Sequence, residues 1–349
     1  MATASLPKNS IWRFAWAARS NSKLHRQQRP VVIPPAVFFF LLMRPHLFLS
    51  PLMEEVRVRV VAAITLILMA TAPASAQETY RAPRTYAGQP DMQGAWTNES
   101  VTRLERSLEL GDRLIMTPEE AAEADKGSIF RPAMRVDGQP RTSFITDPAN
   151  GRVPPMKTGA SPDPRRYALQ AGEKVTDGPE LQAIDDRCIL PIGYNAGPVM
   201  LPLPGNSNYQ IVQTADYVVM LVEMIHDARI VRLNGRHRTD GRRPYLGDSI
   251  GWWEGDTLVV ETTNFPPEQM FRGSWISLKI TERFTRVKED RLLYRFTVED
   301  PSKWDHPWGG EYEFRPSAGP VEEYACREGE VSMPAMLLAA RRREAAGKE

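Results

Sequence analysis

Cysteine and histidine are scarce in this chain. Its 349 residues include only two cysteines, Cys188 and Cys326, and five histidines. Two cysteines exclude a disulfide-dense scaffold and a zinc site built on cysteine pairs. The histidines show neither H-x-H nor H-E-x-x-H spacing, and the G-x-S-x-G, phosphate-loop and dinucleotide fingerprints are absent. The sequence therefore predicts no metal and no cofactor, and it gives no support to a serine hydrolase.

Glycine is missing from the first 76 residues, and acidic residues are rare there. This segment holds 9 Lys and Arg against 2 Asp and Glu, a net charge of +7. Residues 77–349 hold 35 Lys and Arg against 41 Asp and Glu, a net charge of −6. Because the basic excess lies outside the part with a globular composition, the sequence does not predict a nucleic-acid-binding protein.

Residues 53–76 have the pattern of a secretory signal peptide. Two arginines precede an apolar run over residues 60–70, and Ala74-Ser75-Ala76 follows it. The alternative is a membrane anchor, but the run is too short to span a bilayer and Pro73 prevents it from continuing. We therefore expect cleavage after Ala76, a periplasmic or secreted protein, and no stable membrane span in the mature chain.

Residues 1–52 carry seven basic residues and no acidic one, and prolines break their apolar stretch. Two interpretations are open: translation that truly starts at Met53, or a basic transit peptide. The complete signal directly behind this extension favours the first. We therefore predict a non-native or disordered extension over 1–52 and a single β-rich domain over 77–349.

The first half of that domain is rich in proline and glycine. We expect residues 77–205 to form an irregular coat, ordered by apolar residues spread through it. Within the coat, Thr117-Pro118-Glu119-Glu120 is typical of a helix start, with threonine as N-cap and Glu120 reaching back, and predicts a short helix near 118–125. Residues 333–346 are apolar and then arginine-rich, which predicts a terminal helix.

Residues 206–326 contain short β-branched and apolar runs that recur about every 12 residues between turn signals. The runs are Tyr209–Thr214, Tyr217–Met224, Ala228–Leu233, Trp252–Trp253, Thr257–Thr263, Lys279–Val287, Arg291–Glu299, Glu311–Arg315 and Val321–Cys326. Tight turns such as Asn234-Gly235 and Glu254-Gly255-Asp256 predict an antiparallel meander. Closing such a sheet removes its exposed edges, so we predict a mainly β fold with a lipocalin-like barrel.

Some sequence blocks resemble known families. Gly94-Ala95-Trp96 is similar to the G-x-W opening strand of lipocalin-like barrels. Over about residues 90–340 the chain resembles a family of uncharacterised secreted bacterial proteins, common in proteobacteria and acidobacteria. The blocks that carry this resemblance are Glu109–Arg113, Tyr209–Thr214, Glu223–Arg229, Trp253–Phe265, Phe271–Ser274, Phe296–Pro301 and Glu323–Cys326. The resemblance implies export and brings no agreed function.

Four residues are candidates for acid–base catalysis. Glu223 shares a face of its run with Val219 and Leu221, and burial on the barrel interior would disfavour its charged form, as a general base or acid requires. The alternative is a glutamate at the sheet rim that pairs with Arg229 or Arg232.

The other three candidates are His226, Asp227 and Glu261. His226 and Asp227 follow Glu223 and suit a proton relay or, equally, a turn. Glu261 would form a carboxylate pair with Glu223 if their strands were neighbours, which would permit glycosidase-like chemistry.

Aromatic and arginine residues are candidates for substrate binding. Tyr217, Tyr245, Trp252 and Trp275 are predicted to line a pocket for a flat apolar or aromatic ligand, and the alternative for such residues is a place in the core. Arg229 and Arg272 are candidates for holding a carboxylate, a phenolate or developing negative charge. For Arg272 an ordinary loop position is the alternative.

In an exported chain, Cys188 and Cys326 are predicted to form a disulfide that ties the coat to the last strand. Two buried free thiols are the alternative.

Together these features predict an exported, cofactor-independent enzyme that acts on a small apolar or aromatic molecule of the lignin type. A lyase is favoured, and an isomerase or hydrolase is also consistent with the residues. Glu223 would act as the base, and His226 with Asp227 would relay protons. A periplasmic carrier with the same pocket and no catalysis, and an envelope structural protein with an aromatic surface patch, are the alternatives.

Overall fold

The computed structural model describes residues 80–126, 131–164, 172–190, 197–202, 205, 207–326, 328–329 and 331–347. The predicted extension over 1–52 and the predicted signal peptide over 53–76 lie outside the described residues. Residues Glu78–Glu349 form one compact unit. In the described part of that unit, no helix is both long and apolar enough to cross a membrane.

The described residues are mainly β. Their strands are β1 (Gly94–Thr97), β2 (Arg135–Val136), β3 (Gln139–Pro140), β4 (Ile145–Asp147), β5 (Asn208–Gln213), β6 (Tyr217–Val222), β7 (Ala228–Leu233), β8 (Asp248–Glu254), β9 (Thr257–Thr263), β10 (Lys279–Lys288), β11 (Arg291–Glu299) and β12 (Trp308–Pro316). Helix α1 spans Pro118–Lys126 and helix α2 spans Ser332–Ala345. Single 3-10 turns lie at Leu108–Leu110, Pro179–Leu181, Met224–His226 and Pro267–Gln269.

Nine strands close into a barrel in the order β1-β5-β6-β7-β8-β9-β10-β11-β12. Strand β1 closes it, because Trp96 pairs with Tyr209 on one side and with Pro316 on the other. Strand β4 adds to β12, while β2 and β3 form a separate hairpin. The mainly β fold and the barrel predicted from the strand pattern are therefore confirmed.

The barrel interior is filled with side chains. Along β6, Val218, Met220 and Val222 are fully buried, whereas Tyr217 on the opposite face is exposed. Aromatic rings occupy the centre, where Tyr294 lies 4.8 Å from Tyr312 between ring centroids. The interior is therefore a packed core.

A segment of the coat enters this core. Met200 is fully buried, its backbone N–H donates to the Tyr294 hydroxyl at 3.2 Å, and its carbonyl accepts from the Tyr312 hydroxyl. Asn98 Nδ2 also donates to the Met200 carbonyl, at 2.9 Å. These hydrogen bonds satisfy backbone groups that would otherwise be buried without partners.

One pair of barrel strands differs from the predicted antiparallel meander. Strands β7 and β8 are parallel, with Val231 opposite Ser249. Parallel neighbours need a crossover connection, and residues 234–247 supply it. The prediction of a hairpin turn at Asn234-Gly235 is wrong, because these residues begin that crossover; Asn234 has the positive φ of 54° that such a residue tolerates.

The predicted last hairpin is also absent from the described residues. Val321–Cys326 is not a strand, because both edges of β12 are already occupied by β11 on one side and by β1 and β4 on the other. The segment instead leads to Cys326, which forms a disulfide with Cys188 at a Cα–Cα distance of 5.9 Å. The predicted disulfide is thus confirmed, although it joins the coat to a segment behind the last strand.

Both predicted helices form. At the start of α1, Glu120 N–H donates to Thr117 Oγ1 at 3.2 Å and Thr117 N–H donates to a Glu120 carboxylate oxygen at 2.8 Å. This is the reciprocal capping box that the sequence predicted. A hydrogen bond from Arg113 and the Thr117 amide together lower the pKa of Glu120 to about 2.

Candidate functional site

Glu223 lies at the rim of the barrel, just past the end of β6. The chain turns there through Ile225 and His226, whose φ angles are 59° and 46°. The Glu223 side chain is buried, and its carboxyl accepts hydrogen bonds from Asn208 Nδ2 at 3.0 and 3.2 Å and from the Glu322 backbone N–H at 3.2 Å. Glu223 therefore occupies the rim position that the sequence analysis gave as the alternative. Its hydrogen-bond partners are Asn208 and Glu322, in place of Arg229 or Arg232.

Glu223 lines a cleft of about 490 Å³, which we call the rim cleft. Polar groups on its wall include Glu99, Asn208, Arg315 and Glu322, and apolar wall is supplied by Pro132, Ala318 and Pro320. The segment over 317–322, which continues from β12 toward Cys326, forms one side of it. The volume falls in the range of small-molecule sites.

Burial in the rim cleft favours the neutral form of the Glu99 carboxyl over its charged form. Burial raises the pKa of Glu99 and the negative charge of Glu223 raises it further, whereas Arg315 and Arg131 oppose the change. Burial also lowers the pKa of Arg315. The rim cleft thus combines a carboxyl whose pKa is raised, a second carboxyl fixed by three hydrogen bonds, and one cation.

Sequence reasoning missed Glu99 and Arg315. Glu99 comes three residues after the end of the predicted G-x-W block, and Arg315 closes the predicted strand Glu311–Arg315. Both positions are strand ends, which meet at the rim of a barrel. A charged residue at or just past the end of a predicted strand is therefore the sequence feature that indicates both residues.

His226 and Asp227 lie next to Glu223 along the chain but are not part of the rim-cleft wall. His226 is exposed. Asp227 is half-buried, and its Oδ2 is buried with no hydrogen-bond partner among the described residues. Burial raises the pKa of Asp227 to about 6, with the charge of His226 acting in the opposite direction. The predicted proton relay to Glu223 has no hydrogen-bonded path within the described part of the chain.

Replacing Asp227 with asparagine is expected to stabilise the fold at neutral pH by about 1 kcal/mol, allowing for solvent access to this half-buried group. The native carboxyl has a folded pKa of about 6 against an ordinary value of 3.8. Its ionisation therefore costs stability as pH rises from about 4 to 6, and the cost stays constant above that range. Urea unfolding at pH 4 and pH 7.5 measures the difference. The exposed turn residue Asp216 provides the control, Asp216→Asn; a stabilisation of Asp227→Asn that is equal at both pH values would contradict the expectation.

Arg229 lies inside the barrel rather than at the rim cleft. Its guanidinium makes a two-fold contact with the Glu282 carboxylate, and the two side chains are 1% and 0% exposed. Ser249 and Thr262 hydroxyls accept from it at 3.1 Å, and the Tyr294 hydroxyl donates to Glu282 at 2.9 Å. The predicted role in holding substrate charge does not fit this position, because every side of the guanidinium is engaged in the core.

Glu261 does not pair with Glu223. Strand β9 lies between β8 and β10, whereas β6 lies between β5 and β7, so the two strands are not neighbours. Glu261 is on the outer face, 3.1 Å from His237 Nε2, and His237 Nδ1 lies 3.1 Å from the buried carboxylate of Asp248. The carboxylate pair that glycosidase-like chemistry requires is therefore not formed by these two residues.

The four predicted aromatic residues do not form one pocket. Tyr217 is exposed on the outer face of β6, and Trp252 on β8 donates to Glu254 at 2.9 Å. Tyr245 and Trp275 do share a cleft of about 650 Å³, on whose wall the Arg243 guanidinium lies 5.1 Å from the Trp275 ring centroid. This cleft is distinct from the rim cleft in all its lining residues.

Arg272 lies in a third cleft. Its guanidinium is 3.1 Å from a carboxylate oxygen of Glu105. It lines neither the rim cleft nor the cleft of Tyr245 and Trp275. Any anion that it holds would therefore be bound away from Glu223.

Comparisons with protein-family models, with curated proteins and with solved structures found no match to the chain. The resemblance to a secreted bacterial family therefore stays a prediction. Over the part of the chain that the structure describes, no group of three or more His, Cys, Asp or Glu side chains is placed to hold a metal ion. In the rim cleft, the carboxyl groups of Glu99 and Glu223 and the guanidinium of Arg315 line one open volume.

Proposed function

We propose that the chain is an exported, cofactor-independent enzyme that performs acid–base chemistry in the rim cleft. The observation that carries the proposal is the convergence of Glu99, Glu223 and Arg315 on one small-molecule-sized volume, with the pKa of Glu99 raised. Export is supported by the Cys188–Cys326 disulfide, since such bonds persist in oxidising compartments.

The three groups can support a proton-transfer reaction. Glu223 accepts a proton from the carbon next to a carbonyl or carboxylate group, and Arg315 stabilises the negative charge that develops on the oxygen. Protonated Glu99 then donates its proton to a leaving group, which gives an elimination and hence a lyase. Donation to carbon instead gives an isomerase. In both reactions the proton that Glu223 accepts is matched by the proton that Glu99 donates, so neither reaction needs an oxidant or a reductant.

The wall of the rim cleft indicates the substrate class. Arg315 suits a carboxylate or polarised carbonyl oxygen, and Pro132, Ala318 and Pro320 offer apolar contact to the rest of the molecule. A small aromatic or apolar molecule that carries such an oxygen matches this wall. The lignin-type compounds expected from the sequence belong to this class. The predicted aromatic lining residues, however, are elsewhere.

The experiment incubates the purified mature chain with a panel of lignin-type aromatics, terpenoids and glycosides, with and without a carboxylate or carbonyl, and records mass changes and binding. The test variant is Glu223→Ala, and Glu261→Ala on the outer face is the matched control. The enzyme proposal expects turnover by the native chain and Glu261→Ala, and binding without turnover by Glu223→Ala. Binding without turnover by all three proteins would instead identify a carrier. If the native chain neither binds nor converts any compound of the panel, a function of the rim cleft on these compound classes is excluded.

A further inference from the structure

Four arginines gather around the cleft that contains Arg272. This cleft, which we call the arginine cleft, has a volume of about 380 Å³. Its charged lining residues are Arg103, Arg106, Arg152, Arg272 and Glu105. Four cations against one carboxylate leave a formal charge of +3 around a small open volume. Such an excess attracts anions and is not needed for barrel closure.

Arg106 is the buried member of the group. The residue is 1% exposed, and its guanidinium donates to Thr142 Oγ1 at 3.0 Å and to the carbonyl oxygens of Ala149 and Gly111 at 2.7 and 3.4 Å. None of these acceptors is a carboxylate, and Arg106 Nη2 is buried with no partner among the described residues. The charge of Asp112 favours the cationic form of Arg106 whereas burial opposes it, and an anion bound in the cleft would add to the compensation.

The backbone around Arg106 is shaped to hold it. Gly151 has a φ of 68°, and a Cβ atom there would lie 2.7 Å from Arg106 Cζ, so a side chain at this position would be strained and would displace the guanidinium. The Arg106 N–H donates to the Gly151 carbonyl at 2.8 Å, and Arg152 Nη1 donates to the Arg106 carbonyl at 2.8 Å. These contacts fix Arg106 and Arg152 side by side.

Glu105 is the internal counter-ion of the arginine cleft. Its carboxylate lies 3.1 Å from Arg272 Nη2 and accepts the Val153 backbone N–H at 3.2 Å. It is the one carboxylate among the lining residues, against four cations, while Asp112 outside the lining acts on Arg106 through its charge. An incoming anion would therefore compete with Glu105 for Arg272 while gaining Arg103 and Arg152.

We propose that the arginine cleft binds a phosphate-type oxyanion, as the phosphate group of a small soluble phosphomonoester. The four cations are all arginine, whose planar fork matches phosphate oxygens two at a time. An excess charge of +3 suits a dianion better than a single carboxylate. The volume exceeds that of a phosphate group, which leaves space for the ester portion. This binding site is separate from the acid–base chemistry of the rim cleft and does not depend on it.

The test measures binding of inorganic phosphate and of phenyl phosphate to the mature chain by titration calorimetry, at constant ionic strength set with chloride. Arg103→Gln and Arg272→Gln remove exposed members of the cleft, so the fold is expected to survive, and thermal unfolding checks this. Each is expected to weaken phosphate binding about tenfold or more, as loss of a charge-assisted hydrogen bond does. Glu105→Gln is expected to strengthen binding, because it removes the competing carboxylate. Arg295→Gln, an exposed arginine on β11, is the charge-matched control and should leave affinity unchanged.

Each outcome bears on the assignment. Tighter binding of phenyl phosphate than of inorganic phosphate supports the ester ligand, and equal binding supports free phosphate in the same site. The proposal is overturned if neither anion binds above the chloride control, or if Arg295→Gln weakens binding as much as Arg272→Gln does. Citrate is titrated in the same way, and binding of citrate but of neither phosphate compound would reassign the cleft to carboxylates.

Discussion

Arg229→Met is expected to destabilise the barrel by about 3–5 kcal/mol, the range for removal of one partner from a buried ion pair. The substitution leaves Glu282 as an uncompensated carboxylate at 0% exposure in the barrel core. The Tyr294 hydroxyl would still donate to Glu282, but the two donors from the guanidinium would be lost. Denaturant unfolding monitored by tryptophan fluorescence measures the change.

Two controls separate this effect from a general loss of charge. The double variant Arg229→Met/Glu282→Leu removes both charges and is expected to regain most of the lost stability, because a desolvated ion pair contributes little compared with apolar packing. Arg283→Met, on the neighbouring outward-facing position of β10, breaks an exposed pair with Glu254 and should cost no more than about 1 kcal/mol. A double variant as unstable as Arg229→Met would show that the pair itself, rather than an orphaned charge, stabilises the core.

The same pair connects the barrel strands to the coat. Glu282 accepts from Tyr294, and the Tyr294 hydroxyl in turn accepts from the Met200 backbone N–H. Gly197 lies close enough to Arg229 that a Cβ atom would stand 2.9 Å from Nη1. The ion pair therefore helps to set the position of the coat segment that fills one part of the barrel, and loss of the pair should loosen that segment as well as the strands.

The strands were predictable from the sequence because one face of each is buried. In Lys279–Lys288, for example, Ile280, Glu282 and Phe284 are buried and alternate with less buried residues, so the pattern has a period of two. Strand pairing was less predictable. The parallel pairing of β7 with β8 and the missing strand at Val321–Cys326 depend on which strand edges are free once the barrel closes. The local sequence does not encode this.

The candidate site was predictable in part for a similar reason. Glu223 was found because it ends a clear strand, yet it was assigned to the face of Val219 and Leu221 as a possible interior position. The interior positions on β6 are Val218, Met220 and Val222. The charged residues that do face inward, Arg229 and Glu282, stand on β7 and β10 and meet only through the closure of the barrel.

Glu99→Gln is expected to lower kcat by about 10²–10⁴-fold on any substrate that the panel identifies, the range for loss of a general acid or base. The amide keeps the shape of the side chain but cannot donate the proton at the required step. If Glu99 is the acid, activity of the native chain falls as pH rises through the raised pKa of Glu99. A pH–rate profile measures this alkaline limb, which Glu99→Gln should lack.

A second variant tests the cause of that limb without touching the rim-cleft wall. Arg131 lowers the pKa of Glu99 through its positive charge, so Arg131→Gln should move the alkaline limb to higher pH and leave the maximal rate nearly unchanged. A purely structural role of Glu99 would alter the rate in both variants without moving the limb. Retention of the native limb in Glu99→Gln would assign the titrating group to another residue and would remove Glu99 as the acid.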